Sequence, residues 1–131
     1  MLSSRPWWRR RPDAAPPRAH LLAALYERIV ERQESGTEAS YVWRLTQRGQ
    51  DAICKKVVEE AAEVVLASKN GARPELVYEM ADLWFHTLVL LGTHRVPPDE
   101  VLGELQRRFG KPGGGKPAAP GGVQPAEPAG S

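Results

Sequence analysis

The stretch Met80-Ala81-Asp82-Leu83-Trp84-Phe85-His86-Thr87-Leu88-Val89-Leu90-Leu91 limits the fold of this chain more than any other, because it is apolar nearly all round when wound as a helix. Such a helix has to be covered by other structure. It also carries a carboxylate, Asp82, and burying an ionised carboxylate is strongly unfavourable unless the group is paired, hydrogen-bonded or bound to metal. A single segment therefore predicts a packed bundle and a carboxylate within it that needs a partner, for which a metal is one candidate.

Elsewhere the apolar period is helical throughout, with no alternation and no β-branched run of the kind that strands show. An all-α fold follows: an antiparallel bundle of four to five helices. A first helix over 18–34 puts Leu21, Leu22, Leu25, Ile29 and Val30 on one side and stops at Ser35-Gly36. Ser40 is an N-cap for a short helix over 41–48 that ends at Gly49. Gln50 or Asp51 opens a long helix to Asn70, with Gly71 as its stop, and Pro74 starts the next, over 75–94. A last helix follows Pro97-Pro98, with Asp99 and Glu100 in its first turn and Arg107 and Arg108 in its last, as the helix dipole prefers.

Composition sets the limits of this domain. A chain of 131 residues with 41% hydrophobic content supports one modest core. Before His20 the chain has five arginines against Asp13, and this 1–18 leader, with Pro6, Pro12, Pro16 and Pro17, is expected to be disordered, although Trp7 and Trp8 within it are candidates to dock on a surface. Residues 19–110 are expected to form the folded unit, with eleven basic and fourteen acidic side chains from His20 onward, and 111–131, rich in Gly, Pro and Ala, to be a disordered tail. The basic balance of the whole chain thus belongs to the leader, and a mildly acidic domain argues against a nucleic-acid surface on it. Cys54 is the lone cysteine, which excludes an intrachain disulfide and fits a reducing cytoplasm, where it acts as a small packed hydrophobe. No run reaches the length of a membrane span, and no apolar signal core follows the arginines.

Asp82 belongs to a set. Glu60 with Glu63, and Glu79 with Asp82, are two pairs at the three-residue spacing that puts both side chains on one helical face. The two helices that carry them are joined by the short Asn70-Gly71-Ala72-Arg73 turn and must be antiparallel neighbours, so the pairs lie at comparable heights and face each other. An all-oxygen cage of this kind suits Mg2+, with Mn2+ as the alternative, and Mg2+ typically bridges carboxylates to the phosphates of a nucleotide. Lys56, one turn before Glu60, is placed to meet phosphate, and Glu59, Glu60 or Glu63 to orient or deprotonate a water. The plainer alternative makes Glu59, Glu60 and Glu63 a solvated face with Lys56 and Glu60 an ordinary surface ion pair, but it gives Asp82 no role. His86, four residues after Asp82, is either a core histidine or a partner of the acidic group.

Lys56-Val57-Val58-Glu59-Glu60-Ala61-Ala62-Glu63 followed, after fifteen residues, by Glu79-Met80-Ala81-Asp82 resembles the signature of the all-α nucleotide pyrophosphohydrolases related to MazG. Leu25-Tyr26, Glu31-Arg32, Ser40-Tyr41, Gly49, Ile53, Ala67, Asn70-Gly71, Glu75-Leu76 and the run from Asp82 to Leu91 are similar to the phosphoribosyl-ATP pyrophosphohydrolase branch, over 21–108. The resemblance implies hydrolysis of phosphoribosyl-ATP to phosphoribosyl-AMP and pyrophosphate in histidine biosynthesis. It implies Glu60, Glu63, Glu79 and Asp82 as Mg2+ ligands, Glu59 with Glu60 as catalytic residues, Glu59 assisting the water or a second metal, and Lys56, His86, Tyr41 and Asn70 as substrate-binding positions. It also implies a homodimer or larger assembly in which helices of two chains complete the bundle. Val42 departs from the Thr common in that branch, and this keeps open a housecleaning enzyme of the same fold acting on other nucleoside triphosphates. A non-catalytic helical adaptor that binds through its Arg/Trp leader is the alternative from a different class.

Overall fold

The computed structural model describes residues 16–110. Both tails, including Trp7 and Trp8 and most of the expected disordered leader, lie outside the described residues. A 3-10 turn, Arg18–His20, leads into α1 (Leu21–Ser35); α2 (Tyr41–Gln47), α3 (Gln50–Asn70), α4 (Arg73–Thr93) and α5 (Pro98–Arg108) follow. No strand occurs among the described residues.

The element boundaries follow local chemistry. The Ser40 side chain accepts the backbone N–H of Trp43 at 3.3 Å, which satisfies one of the donors left open at the start of α2. Asn70 closes α3, and Gly71, at φ 71°, takes the left-handed conformation that a Cβ would make costly, its N–H bonding back to Ala67 and Ser68. Arg73 and Pro74 then form the first turn of α4, two residues earlier than the proline alone predicts, because a first-turn proline has no N–H to lose. At the other end α4 stops in a Schellman arrangement: Val96 N–H bonds to Leu91 O and Arg95 N–H to Gly92 O, with Arg95 in the left-handed region at φ 57°.

The hairpin of α3 and α4 is the frame, each helix being 21 residues or about 30 Å long. α1 packs along α4, α2 bridges α1 and α3, and α5 rests on α1. Ile29, Val42, Leu45, Ile53, Phe85, Leu88 and Val89 form one buried core at this junction, with Leu22, Leu25, Tyr41, Ala52, Leu90 and Leu91 packed around it. Gln33 pins α1 to α4 by donating to the Val89 carbonyl at 3.2 Å and to Thr93 Oγ1 at 3.3 Å. α1 and α2 cover only one side of the hairpin. The opposite side leaves Val58, Val65 and Leu66 of α3 and Val77, Tyr78 and Trp84 of α4 exposed, so within one chain α4 is buried on one face rather than all round.

Candidate functional site

Glu60 lies ten residues before the end of α3 and Asp82 nine residues after the start of α4, so the antiparallel pairing brings them to the same height. Glu79, one turn before Asp82, completes the group. Glu60, Glu79 and Asp82 each offer a carboxylate oxygen, and the three oxygens lie within 4.8 Å of one another. Glu60 is 9% and Asp82 2% exposed, while Glu79 is half-buried and opens the group to solvent.

The remaining acids of the expected cage sit differently. Glu63 is one turn further along α3, exposed, and outside the three-oxygen group. Glu59 is also exposed, with Lys55 Nζ at 3.9 Å and Lys56 Nζ at 3.5 Å from its carboxylate. Asn70 stands exposed at the hairpin tip, about 15 Å along α3 from Glu60.

Lys56 supplies the positive charge. Its ammonium is 3.2 Å from Glu60 Oε1, the i,i+4 contact that helix geometry favours. Burial works against its charge, but the hydrogen bond with Glu60 and the fields of Tyr41, Glu60 and Glu59 outweigh burial and raise its pKa. The ammonium is therefore charged throughout the physiological range.

His86 is 2% exposed on α4. Its Nδ1 is 2.7 Å from the Asp82 main-chain carbonyl and its Nε2 is 2.7 Å from the Tyr41 hydroxyl. Burial lowers its pKa, and the Lys56 charge acts in the same direction, against the opposing pull of the Asp82 carbonyl, of Glu60 and of the Asp82 carboxylate. With both ring nitrogens engaged, His86 lies beside the acidic group rather than among its oxygens. Tyr41, the first residue of α2, is thereby tied across 45 positions to α4, its ring edge-on to His86 at 5.8 Å and tilted against Phe85 at 6.3 Å.

Val42 follows Tyr41 on α2 but turns the other way, to 0% exposure inside the core. A side chain there packs against protein. The feature that the sequence pattern missed is the bond between Tyr41 and His86, which no local spacing encodes.

The donor set is all oxygen and carboxylate-rich, which matches the preference of a hard divalent cation. Residues 22–109 match the family model described as phosphoribosyl-ATP pyrophosphohydrolase, close to the 21–108 expected from the motifs. The chain belongs to that family. Curated relatives of this chain include the phosphoribosyl-ATP pyrophosphatase of Geobacter metallireducens, 52% identical over 96 residues that cover 73% of this chain and 88% of the relative. That of Geotalea daltonii is 54% identical over 93 residues, 71% of this chain and 88% of the relative, and that of Neisseria gonorrhoeae 46% over 99 residues, 76% and 92%. For a member of the phosphoribosyl-ATP pyrophosphohydrolase family, the acidic group between α3 and α4 and the basic side chain beside it are the candidate centre.

Proposed function

We propose that this chain hydrolyses phosphoribosyl-ATP to phosphoribosyl-AMP and pyrophosphate, the reaction named for its relatives in histidine biosynthesis, and that Mg2+, or Mn2+ in its place, assists. The observation that carries the reading is the convergence of the Glu60, Glu79 and Asp82 oxygens within 4.8 Å beside the Lys56 ammonium. Glu60, Glu79 and Asp82 would hold the ion, and Glu63, exposed one turn further along α3, would have to turn inward to serve as the fourth ligand. When bound, Mg2+ neutralises and polarises the triphosphate. Lys56 adds a fixed positive charge against phosphate oxygens where negative charge accumulates as the anhydride opens. Glu59, or Glu60 where its carboxylate is not engaged, accepts the proton of the attacking water. The water oxygen forms a new bond to phosphorus, the α–β anhydride bond breaks, and pyrophosphate carries away the bonding electrons.

The burial of Val42 removes the reason for preferring other triphosphates, because a hydroxyl at that position would face the core rather than a ligand. Residues 19–110 are the catalytic unit in this reading, working in the cytoplasm; no helix of the described residues is long and apolar enough to cross a membrane. We assign the uncovered hairpin face around Val58, Val65, Val77 and Trp84 to a second copy of the chain, in a homodimer or larger assembly.

Pyrophosphate release from phosphoribosyl-ATP, followed with and without Mg2+ for the wild type and Asp82→Asn, tests the reading. Metal-dependent release that falls by at least 100-fold in the variant is expected; release that survives the substitution unchanged would sink the assignment of the site.

A further inference from the structure

The outer side of α5 is apolar. Val101, Leu102, Leu105 and Phe109 are 42%, 49%, 57% and 88% exposed and follow one another at helical spacing, while Glu104 and Arg107, on the far side of the helix, are half-buried. Leu102, Leu105 and Phe109 border an open hollow of about 570 Å3, which Asp99 and Gly103 also line. Gly103 stands in the interior of the helix, where glycine is less stable than alanine, and a Cβ placed on it would meet no atom within 4 Å. No close approach among the described residues requires a glycine there. Its effect is to keep the hollow open, at a size within the roughly 300–1,000 Å3 of small-ligand sites.

The chain itself contains a segment that fits this surface. Residues 1–15, which precede the described part, carry Trp7 and Trp8 beside Arg9, Arg10 and Arg11, and with Arg5 against Asp13 their net charge is four less one, +3. Trp and Arg are the side chains most enriched at the anchoring points of interfaces. The folded unit is acidic on balance, and Asp99 forms no ion pair among the described residues, since Arg107 and Arg108 both turn to Glu104. Reach allows the contact. The 3-10 turn that receives the leader adjoins α1, which is 15 residues or about 22 Å long, so the place where α5 touches α1 lies within about that distance of the leader. Trp8 stands eight residues before Pro16, and eight residues span up to about 26 Å.

We propose that Trp7 and Trp8 dock in the α5 hollow of their own chain, the indoles against Leu102, Leu105 and Phe109 and the arginines that follow them facing Asp99. The hairpin face around Val58, Val77 and Trp84 is a separate surface on other helices. For α5 the leader is a better occupant than a second folded unit, because it brings positive charge with its apolar surface, whereas a second folded unit brings like charge. The docking is independent of the catalytic reading.

Nuclear Overhauser contacts in the full chain test it. In the wild type, indole protons of Trp7 or Trp8, assigned with Trp7→Phe and Trp8→Phe, should contact the methyls of Leu102 and Leu105. Gly103→Leu fills the hollow with a better helix former and should abolish these contacts. Asp99→Asn, or high salt, should weaken them. Contacts that are absent from the wild type, or that survive Gly103→Leu unchanged, overturn the proposal; the wild-type arm decides even where the variant fails to fold. When methyl-labelled Trp7→Ala/Trp8→Ala chains are refolded together with unlabelled wild type, the labelled methyls should show no indole contact. A contact there would place the leader on another copy, and overturn docking within the chain.

Discussion

Asp82→Asn should stabilise the metal-free protein and destabilise it relative to wild type once Mg2+ is present. Three carboxylate oxygens within 4.8 Å repel one another, each pair by about 3 kcal/mol at an effective dielectric constant of roughly 20. The amide removes two of the three repulsions but leaves new N–H donors to be satisfied at a position only 2% exposed, while Lys56 stays paired with Glu60 at 3.2 Å. A net gain of about 1 to 3 kcal/mol in the absence of metal follows, and a domain of this size converts each kcal/mol into roughly 4–8 °C of melting temperature. Adding Mg2+ at about 100 times its dissociation constant stabilises the wild type by about 2.7 kcal/mol, and the variant, with one ligand replaced by a weaker one, by much less. Thermal denaturation of both proteins in EDTA and across a Mg2+ titration reads the two effects separately. The electrostatic reasoning is refuted if the variant melts below wild type in EDTA and Mg2+ raises both melting points equally.

Three further outcomes follow from the packing. Ile29→Ala removes a side chain with 0% exposure at the junction of α1 with the hairpin, and urea denaturation should show a loss of about 2 to 5 kcal/mol; a loss below about 1 kcal/mol would mean that α1 is not part of the core. Ser40→Ala deletes the acceptor for Trp43 N–H and should cost about 1 kcal/mol in the same assay, with Ser40→Asp restoring most of it. Glu104 accepts from Arg107 and Arg108 at 2.8–2.9 Å, and these bonds hold its carboxyl down to about 2 from the usual 4.5. A depressed carboxylate stabilises the folded state above its ordinary pKa, and this contribution is lost as pH falls from about 4.5 towards 2. Carbon-13 titration of the Glu104 carboxyl should place its midpoint near the lower end of that window, and a midpoint at the ordinary value would show that α5 does not hold these bonds in solution.

Much of the geometry of the candidate acidic group was legible because it is built on a hairpin. A seven-residue step on α3 and a six-residue step on α4, measured from a short turn, place Glu63 and Glu79 at matching heights, and the same arithmetic matches Glu60 to Asp82. Height is a matter of residue count, and count is visible in a sequence. Direction is less so: Glu63 shares the height of Glu79 yet faces solvent, because which side of α3 meets α4 depends on how the two helices rotate against each other.

Local chemistry likewise determined the helices. The apolar period, the Ser40 cap, the Gly71 stop and the first-turn prolines act within a few residues, where the chain's own geometry decides the outcome. Tertiary packing alone decided what depends on α2. Tyr41 and Val42 are neighbours in sequence, but one reaches His86 45 residues away and the other fills the core, because successive side chains of a helix point about 100° apart and the packing of α2 decides which direction meets what. The sequence by itself determined that two acidic helices would stand side by side. Only the folded packing decided which carboxylates converge and that the Tyr41 hydroxyl meets the buried His86 ring beside them.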